Sequence, residues 1–333
     1  MKFIDLRESA QRDFIRNYSA KTNIPEQVIE KDWWVCSVLR ALFSLPSAPA
    51  TSFKGGTSLS KCLDLVSRFS EDIDIAITRE YLGYSGPLSK TQVSDKLRRA
   101  ACTFVREQLQ YQLRDKMIEQ GVREDAFRIE VKITPITTTD PETIYVHYKS
   151  VFENLPYIDS CVKVEVSGRS MNEPLEAIRL RSMLEEEYPQ SPFVEKSFDV
   201  ATVRPERTFI EKICLLHEEF SKQEENIRVD RMSRHLYDVV MISRTPIASK
   251  ALNDRNLFDA VVEHRRKFIG LKDFDYSTLA PKALNIVPPQ RVLPLWRADY
   301  EKMQRDMIYG EALSFDDIIN ETKALNQKIA ALG

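Results

Sequence analysis

Residues 70–78 read Ser70-Glu71-Asp72-Ile73-Asp74-Ile75-Ala76-Ile77-Thr78. From Asp72 onward the side chains alternate with the period of a β-strand: Ile73, Ile75 and Ile77 on one face, Asp72, Asp74 and Ala76 on the other. Three isoleucines predict a buried face, and a strand anchored by that face holds both carboxylates at one spot on the opposite side. Two carboxylates so close repel unless one is protonated or a cation lies between them. Mg²⁺ suits such a pair, because it takes one or two carboxylates and leaves its other positions to water and phosphate oxygens. The competing structural reading is a solvated or ion-paired strand face.

Just upstream stands Lys54-Gly55-Gly56-Thr57-Ser58. Residues 51–54 predict a short strand, Gly55-Gly56 breaks it, and 57–69 predict a helix. Paired glycines between a strand and a helix let backbone approach a ligand closely, and a helix start offers free N–H groups. The hydroxyls of Thr57 and Ser58 add possible donors. Alone, Gly-Gly reads as a plain turn, and neither a Walker A sequence nor a GxGxxG fingerprint occurs. A phosphate cradle followed by a carboxylate pair on the next strand is a far sharper joint signal.

Outward from this centre, the first 45 residues predict helix. Asn23 and Glu26 fit a capping box with Pro25 in the first turn, and Val28, Trp33, Val35, Val38, Leu39 and Leu42 supply an apolar face. Trp33 and Trp34 read as core. A charged helical stretch spans 89–119. Period-two segments at 127–133, 143–148 and 162–167, with another strand at 198–203, suggest antiparallel or mixed pairing. Helical patterns then cover 206–222, 231–243, 257–268, 297–307 and 315–332. The expected architecture is α+β over 1–204, followed by an all-helical domain over 205–333, with no internal repeat.

The 333 residues are 43% apolar and 29% charged, ordinary for a globular protein, and the net charge of −2 gives no global basic field for a polyanion. Five cysteines, at 36, 62, 102, 161 and 214, form no CxxC pair or zinc framework and read as reduced thiols. Met1-Lys2-Phe3-Ile4-Asp5 carries charge where a signal peptide would be apolar, and no apolar run approaches the ~20 residues of a membrane helix. A soluble, cytoplasmic protein without a membrane partner is expected.

Strand, Gly-Gly-Thr-Ser loop, helix and DxD strand together resemble the polymerase-β-like nucleotidyltransferase fold. The longer text resembles the AbiEii/AbiGii toxin family: Glu30-Lys31-Asp32-Trp33-Trp34, Phe53-Lys54-Gly55-Gly56-Thr57-Ser58-Leu59-Ser60-Lys61 and Arg68-Phe69-Ser70-Glu71-Asp72-Ile73-Asp74. The likeness continues in Pro205-Glu206-Arg207-Thr208-Phe209-Ile210-Glu211-Lys212, in Arg231-Met232-Ser233-Arg234-His235-Leu236-Tyr237-Asp238, and in the text around 299–303 and 314–318. The resemblance implies a Mg²⁺-dependent nucleotidyltransferase toxin of an abortive-infection (phage-defence) or toxin–antitoxin system, using NTP as substrate. It makes Asp72 and Asp74 metal ligands and Gly56, Thr57 and Ser58 triphosphate contacts, with Lys54 and Gly55 in the same loop. Ser70 is placed beside the first carboxylate, Lys212 on the nucleotide phosphates and Asp238 in the essential set, with Arg234 of the same block grouped among the nucleotide-binding residues. A third carboxylate commonly joins the pair in this fold. Glu165 is the candidate, sharing a strand face with Lys163 and Ser167; Glu130 fits the same alternation and is its rival.

Structural readings stand beside the later motifs. Lys212 follows Glu211 and reads equally as a helix-surface residue, and Arg234 and Asp238 have the spacing of a helical ion pair. His217-Glu218-Glu219 lacks the second histidine of a zinc-protease helix. Basic clusters at Arg204 and Arg207, at Arg228, Arg231 and Arg234, and at His264-Arg265-Arg266-Lys267 suit RNA phosphates or are solvated helix faces. The resemblance implies an RNA acceptor, with tRNA 3′ ends foremost, and a separately encoded antitoxin. The alternatives are a protein or small-molecule hydroxyl as acceptor, and a non-catalytic module that binds nucleotide or a partner.

Overall fold

The computed structural model describes residues 1–70, 72–89, 91–132, 142–153, 159–171, 173–309 and 312–332. Helices α1 (Glu8–Thr22) and α2 (Glu26–Leu42) precede strand β1 (Thr51–Lys54), the single turn α3 (Gly55–Thr57), a wider π turn over Ser58–Cys62, and strand β2 (Asp72–Ile77). Then come α4 (Arg98–Phe104), α5 (Gln110–Glu119), β3 (Phe127–Lys132), β4 (Glu142–Tyr148), β5 (Cys161–Ser167), β6 (Leu175–Leu180), α6 (Met183–Glu187) and β7 (Phe198–Val203). The remainder carries α7 (Pro205–Phe220), α8 (Ser233–Ser243), α9 (Pro246–Asn253), α10 (Arg255–His264), α11 (Leu293–Asp306) and α12 (Phe315–Ala330). Among the described residues no helix is long and apolar enough to cross a membrane.

The strands form one mixed sheet in the order β3-β4-β5-β2-β1-β7-β6. β2 is its middle strand, antiparallel to β1 and parallel to β5. Ile73, Ile75 and Ile77 are at most 2% exposed, and Val162, Val164 and Val166 of β5 are as well covered. Each isoleucine so buried contributes roughly 1.5–3 kcal/mol. That burial fixes the register, because a slip of one residue would turn Asp72 and Asp74 into the core. Helix α2 packs against β5 and β7 and brings Trp33 and Trp34 into the core, where Trp34 stacks on Tyr148 with centroids 4.9 Å apart.

The contacts divide the chain into two units, Met1–Cys62 with Phe69–Val203, and Leu63–Arg68 with Arg204–Gly333. The short segment Leu63–Arg68 thus belongs by its contacts to the helical unit, although it lies between two stretches of the sheet unit.

Several local expectations change. The helix predicted over 57–69 ends at Cys62. Asp64 takes a left-handed backbone (φ 48°), and the following residues are bound within the helical unit, where Ser67 O accepts from Tyr309 N and Arg68 pairs with Asp238. Tertiary contacts here outweigh helix propensity. Asn23 does not cap α2; with φ 57° it closes α1 in the left-handed conformation, and Pro25 is the residue before the first turn of α2. Three elements escape the sequence reading, the five-residue helix α6 among them. Among the described residues β6 pairs only with β7, and its exposed positions Leu175, Ala177 and Arg179 mix apolar with charged side chains, so no clear alternation marks it. Helix α9 is an eight-residue piece, too short to show a clear period. Ile133, expected at the end of β3, lies outside the described residues.

A buried ion pair ties α2 to the turn after the glycines. Lys61 Nζ lies 2.8 Å from Asp32 Oδ1, both side chains under 10% exposed, and Asp32 Oδ2 accepts the Met183 N–H at 2.6 Å. Burial works against the Lys61 charge, but Asp32 outweighs it and raises the lysine pKa. Replacing Lys61 with Ala strands the Asp32 carboxylate, so urea denaturation is expected to show a loss of about 3–5 kcal/mol. The paired change Lys61→Met with Asp32→Asn should recover much of that loss.

Candidate active site

The open face of the sheet carries the carboxylates in register. Asp74 is paired across β1 with Lys54 and across β5 with Glu165; Asp72 is paired across β5 with Lys163. Register partners point to the same side of a sheet, so Lys54, Asp74 and Glu165 form one row, and Asp72 and Lys163 the next. Gly55 closes against this row. Its φ is +81°, and a Cβ there would lie 1.9 Å from Asp74 Oδ2. Only glycine allows both that backbone and that approach.

The Thr57 and Ser58 hydroxyls serve the loop itself. Thr57 Oγ1 donates to the backbone oxygen of Asp72, and Ser58 Oγ donates to Gly55 O at 2.9 Å; both residues are buried. Thr57 bolts the glycine turn to β2, and Ser58 closes the turn on itself. Ser70 is buried two residues before Asp72, and Glu71 lies outside the described residues.

Glu165 and Glu130 are separated by the strand order. Glu165 is on the strand beside Asp74, about 5 Å away in the sheet. Glu130 is on β3, three strands from β2, where it pairs with Arg128 at 2.8 Å. Among the described residues no three His, Cys, Asp or Glu side chains are gathered as a ready metal site. The aspartate pair, with glycine backbone against it, matches the donor set of a divalent cation that takes two carboxylates and leaves other positions to phosphate and water.

Lys212, Arg234 and Asp238 lie in the helical unit. Asp238 of α8 is fully buried and receives Arg68 Nε at 2.6 Å and Arg68 Nη2 at 2.7 Å. Lys212 of α7 approaches Asp238 Oδ2 at 2.9 Å and His235 Nδ1 at 3.3 Å. Burial alone would raise the Asp238 pKa, but Arg68 and Lys212 hold it well below the usual carboxylate range. For Lys212 burial is the largest influence and lowers its pKa; Asp238 opposes this, while Arg68 and Arg234 add to it. Arg68 is the residue that reading of single positions missed. Its signal was present, since it opens the quoted run Arg68-Phe69-Ser70, but nothing local marks an arginine as buried.

The basic clusters are largely neutralised within the chain. Arg204 pairs with Glu206, Arg207 with Glu211, Arg228 with Glu219, and Arg266 with Glu263. Arg265 is buried against Glu218, so the run at 264–267 is in part a structural anchor.

The His235 pKa is driven well below its ordinary value of 6.5, first by desolvation and then by Lys212 and Arg234. A histidine held neutral in the folded state stabilises fully above its unfolded pKa, and that stability is lost as pH falls below it, by up to about 1.4 kcal/mol per unit. Urea titrations between pH 7 and 5 should show a shallower fall in stability for His235→Asn than for the native chain. Identical slopes would count against this account.

No curated protein matches the chain in sequence. Among solved structures, MenT4, a nucleotidyltransferase toxin from Mycobacterium tuberculosis, has a similar fold, with a TM-score of 0.55 at 15% identity over 98% of this chain and 94% of that one. The family described as nucleotidyl transferase AbiEii toxin of type IV toxin–antitoxin systems matches residues 37–321. With that match spanning most of its length, the chain belongs to the AbiEii nucleotidyltransferase toxin family.

Proposed function

We propose that Asp72 and Asp74 hold Mg²⁺ and that the enzyme transfers a nucleoside monophosphate from NTP to the 3′ end of an RNA, with tRNA as the acceptor. The observation that carries this reading is the aspartate pair on the open face of the central strand, with Gly55 backbone packed against Asp74. When bound, the metal supplies charge neutralisation and alignment of phosphate oxygens. The acceptor hydroxyl gives its proton to a carboxylate base, its oxygen forms a bond to the α-phosphorus, the α–β phosphoanhydride bond breaks, and pyrophosphate leaves.

The chain's own residues divide this work. The Gly55-Gly56 backbone meets the phosphates, and Lys54, opposite Asp74 in register, offers a cation beside them. Thr57 and Ser58 hold that turn, and Ser70 supports the approach to Asp72. Lys212 binds nucleotide phosphate as an ammonium whose direction is set by Asp238 and His235, and Asp238 in turn is held by Arg68. Arg234 adds positive charge to the same helix. Glu165 stands beside Asp74 as a base or an additional ligand in the loaded enzyme. The antitoxin that the family implies is a separate partner, and the cytoplasm is the compartment where NTP and tRNA meet. A protein or small-molecule hydroxyl as acceptor draws support from one fact, the internal pairing of the arginine clusters.

The deciding assay supplies each α-labelled NTP with Mg²⁺ and total bacterial tRNA to the native chain and to Asp72→Ala. Label should pass to tRNA with the native chain and not with the variant; label on protein alone would refute the RNA reading. Gly55→Ala should lower transfer on the order of 100-fold, as expected for displacing a reacting group by about an ångström. An active Gly55→Ala enzyme would remove Asp74 from the proposed centre.

A further inference from the structure

The carboxylate rows continue across the sheet into a surface that the catalytic roles leave unused. Beyond β5 lie β4 and β3, and their apolar side chains face the covered side: Ile144, Val146, Val162 and Val164 are fully buried. The other side therefore presents what alternates with them. On β4 that is Tyr145 and His147, half-exposed, with rings nearly parallel at 17° and centroids 6.1 Å apart. On the flanking strands, Lys163 is paired in register with Tyr145 on one side, and Arg128 with His147 on the other. Lys132 of β3 is exposed beside Thr143.

Lys163 joins the two surfaces. It stands between Asp72 on β2 and Tyr145 on β4, in register with both. Among the described residues its side chain makes no hydrogen bond or ion pair. Two strand spacings, about 10 Å, separate Asp72 from Tyr145. The aromatic platform is thus continuous with the catalytic row rather than a remote patch. Its chemistry is also selective. No aliphatic side chain is displayed among these positions, so the surface lacks the apolar core of a protein interface. Stacked aromatic rings interleaved with cations on an open sheet are what unpaired bases and a phosphate backbone require. Glu130, the register partner of Tyr145 on β3, takes Arg128 at 2.8 Å and lies 3.2 Å from the His147 imidazole, so it orders the edge of the platform and leaves Lys163 and Lys132 as its cations.

We infer that the open face of β3, β4 and β5 is the binding platform for the single-stranded 3′ terminus of the RNA acceptor, with terminal bases stacking on Tyr145 and His147 and Lys163 holding the phosphate nearest Asp72. This rests on the RNA-acceptor reading above and adds where the acceptor lies and that it must be unpaired. Desolvation, and among the charges Glu165 and Asp72, raise the Tyr145 pKa against Lys163, which places its hydroxyl within the field of the catalytic row.

The test uses the full chain, a short fluorescent single-stranded RNA and the same RNA closed into a blunt duplex, read by anisotropy alongside transfer kinetics. Stacking of one base on one aromatic is lost in Tyr145→Ala, so its affinity for the single strand should fall about tenfold. Tyr145→Trp should keep native affinity. Lys163→Ala should weaken binding and make its salt dependence shallower by about one ion. In transfer, Tyr145→Ala should raise the KM for RNA and leave the KM for NTP unchanged, a split that a misfolded variant would not give. Equal binding of duplex and single strand, or a native KM for RNA in Tyr145→Ala while Asp72→Ala is dead, would overturn the platform and leave the transferase reading intact. A native chain that labels protein but no RNA would overturn both.

Discussion

The burial of Ile73, Ile75 and Ile77 decides which way β2 faces, and most of the chemistry of the sheet unit follows from that choice. β2 is the middle strand of seven, so it has neighbours on both sides that repeat its orientation. Lys54 and Glu165 are carried to Asp74, and Lys163 to Asp72, by hydrogen-bonded register rather than by their own side-chain preferences. The same pairing delivers the Gly55 turn against the carboxylate of Asp74, where a methyl group would already overlap it. Hydrophobic burial on one face thus positions charge on the other, at a distance set by the spacing of strands.

Charge is handled differently in the helical unit. There a single buried carboxylate, Asp238, is engaged by two cations, Arg68 and Lys212, with neutral His235 at the lysine. Burial above all, with Arg68 and Arg234 adding to it, lowers the Lys212 pKa against the pull of Asp238. Arg68 gives this unit its one segment from the early chain, and the backbone proceeds from it through Phe69 and Ser70 to Asp72.

The internal pairing of the arginine clusters changes how an acidic partner is to be recognised. Ion pairs such as Arg228 with Glu219, and Arg265 with Glu218, remove much of the field that the sequence suggests. With a net charge of −2, the chain sets up no strong long-range field for a polyanion.

How much of this was legible beforehand depends on the range of the interaction. The alternation at 72–77, the Gly-Gly break and the valine face of 162–166 are encoded in neighbouring residues, because strand periodicity and glycine freedom act locally. They determined the strand, its carboxylate face and the mixed α+β class, and the spaced motifs determined the family. The sequence could not tell that the helix after Gly55 stops at Cys62, since the cause is Arg68 bound to a carboxylate 170 residues further on. Nor could it separate Glu165 from Glu130, which alternate alike; only strand order put one beside Asp74 and the other three strands away. It likewise could not tell that the Thr57 hydroxyl donates to the backbone of β2 at Asp72, whereas the Ser58 bond to Gly55 stays within the turn. Local periodicity sets which face a residue takes, but hydrogen-bond partners and strand neighbours are long-range choices, and only the folded chain makes them.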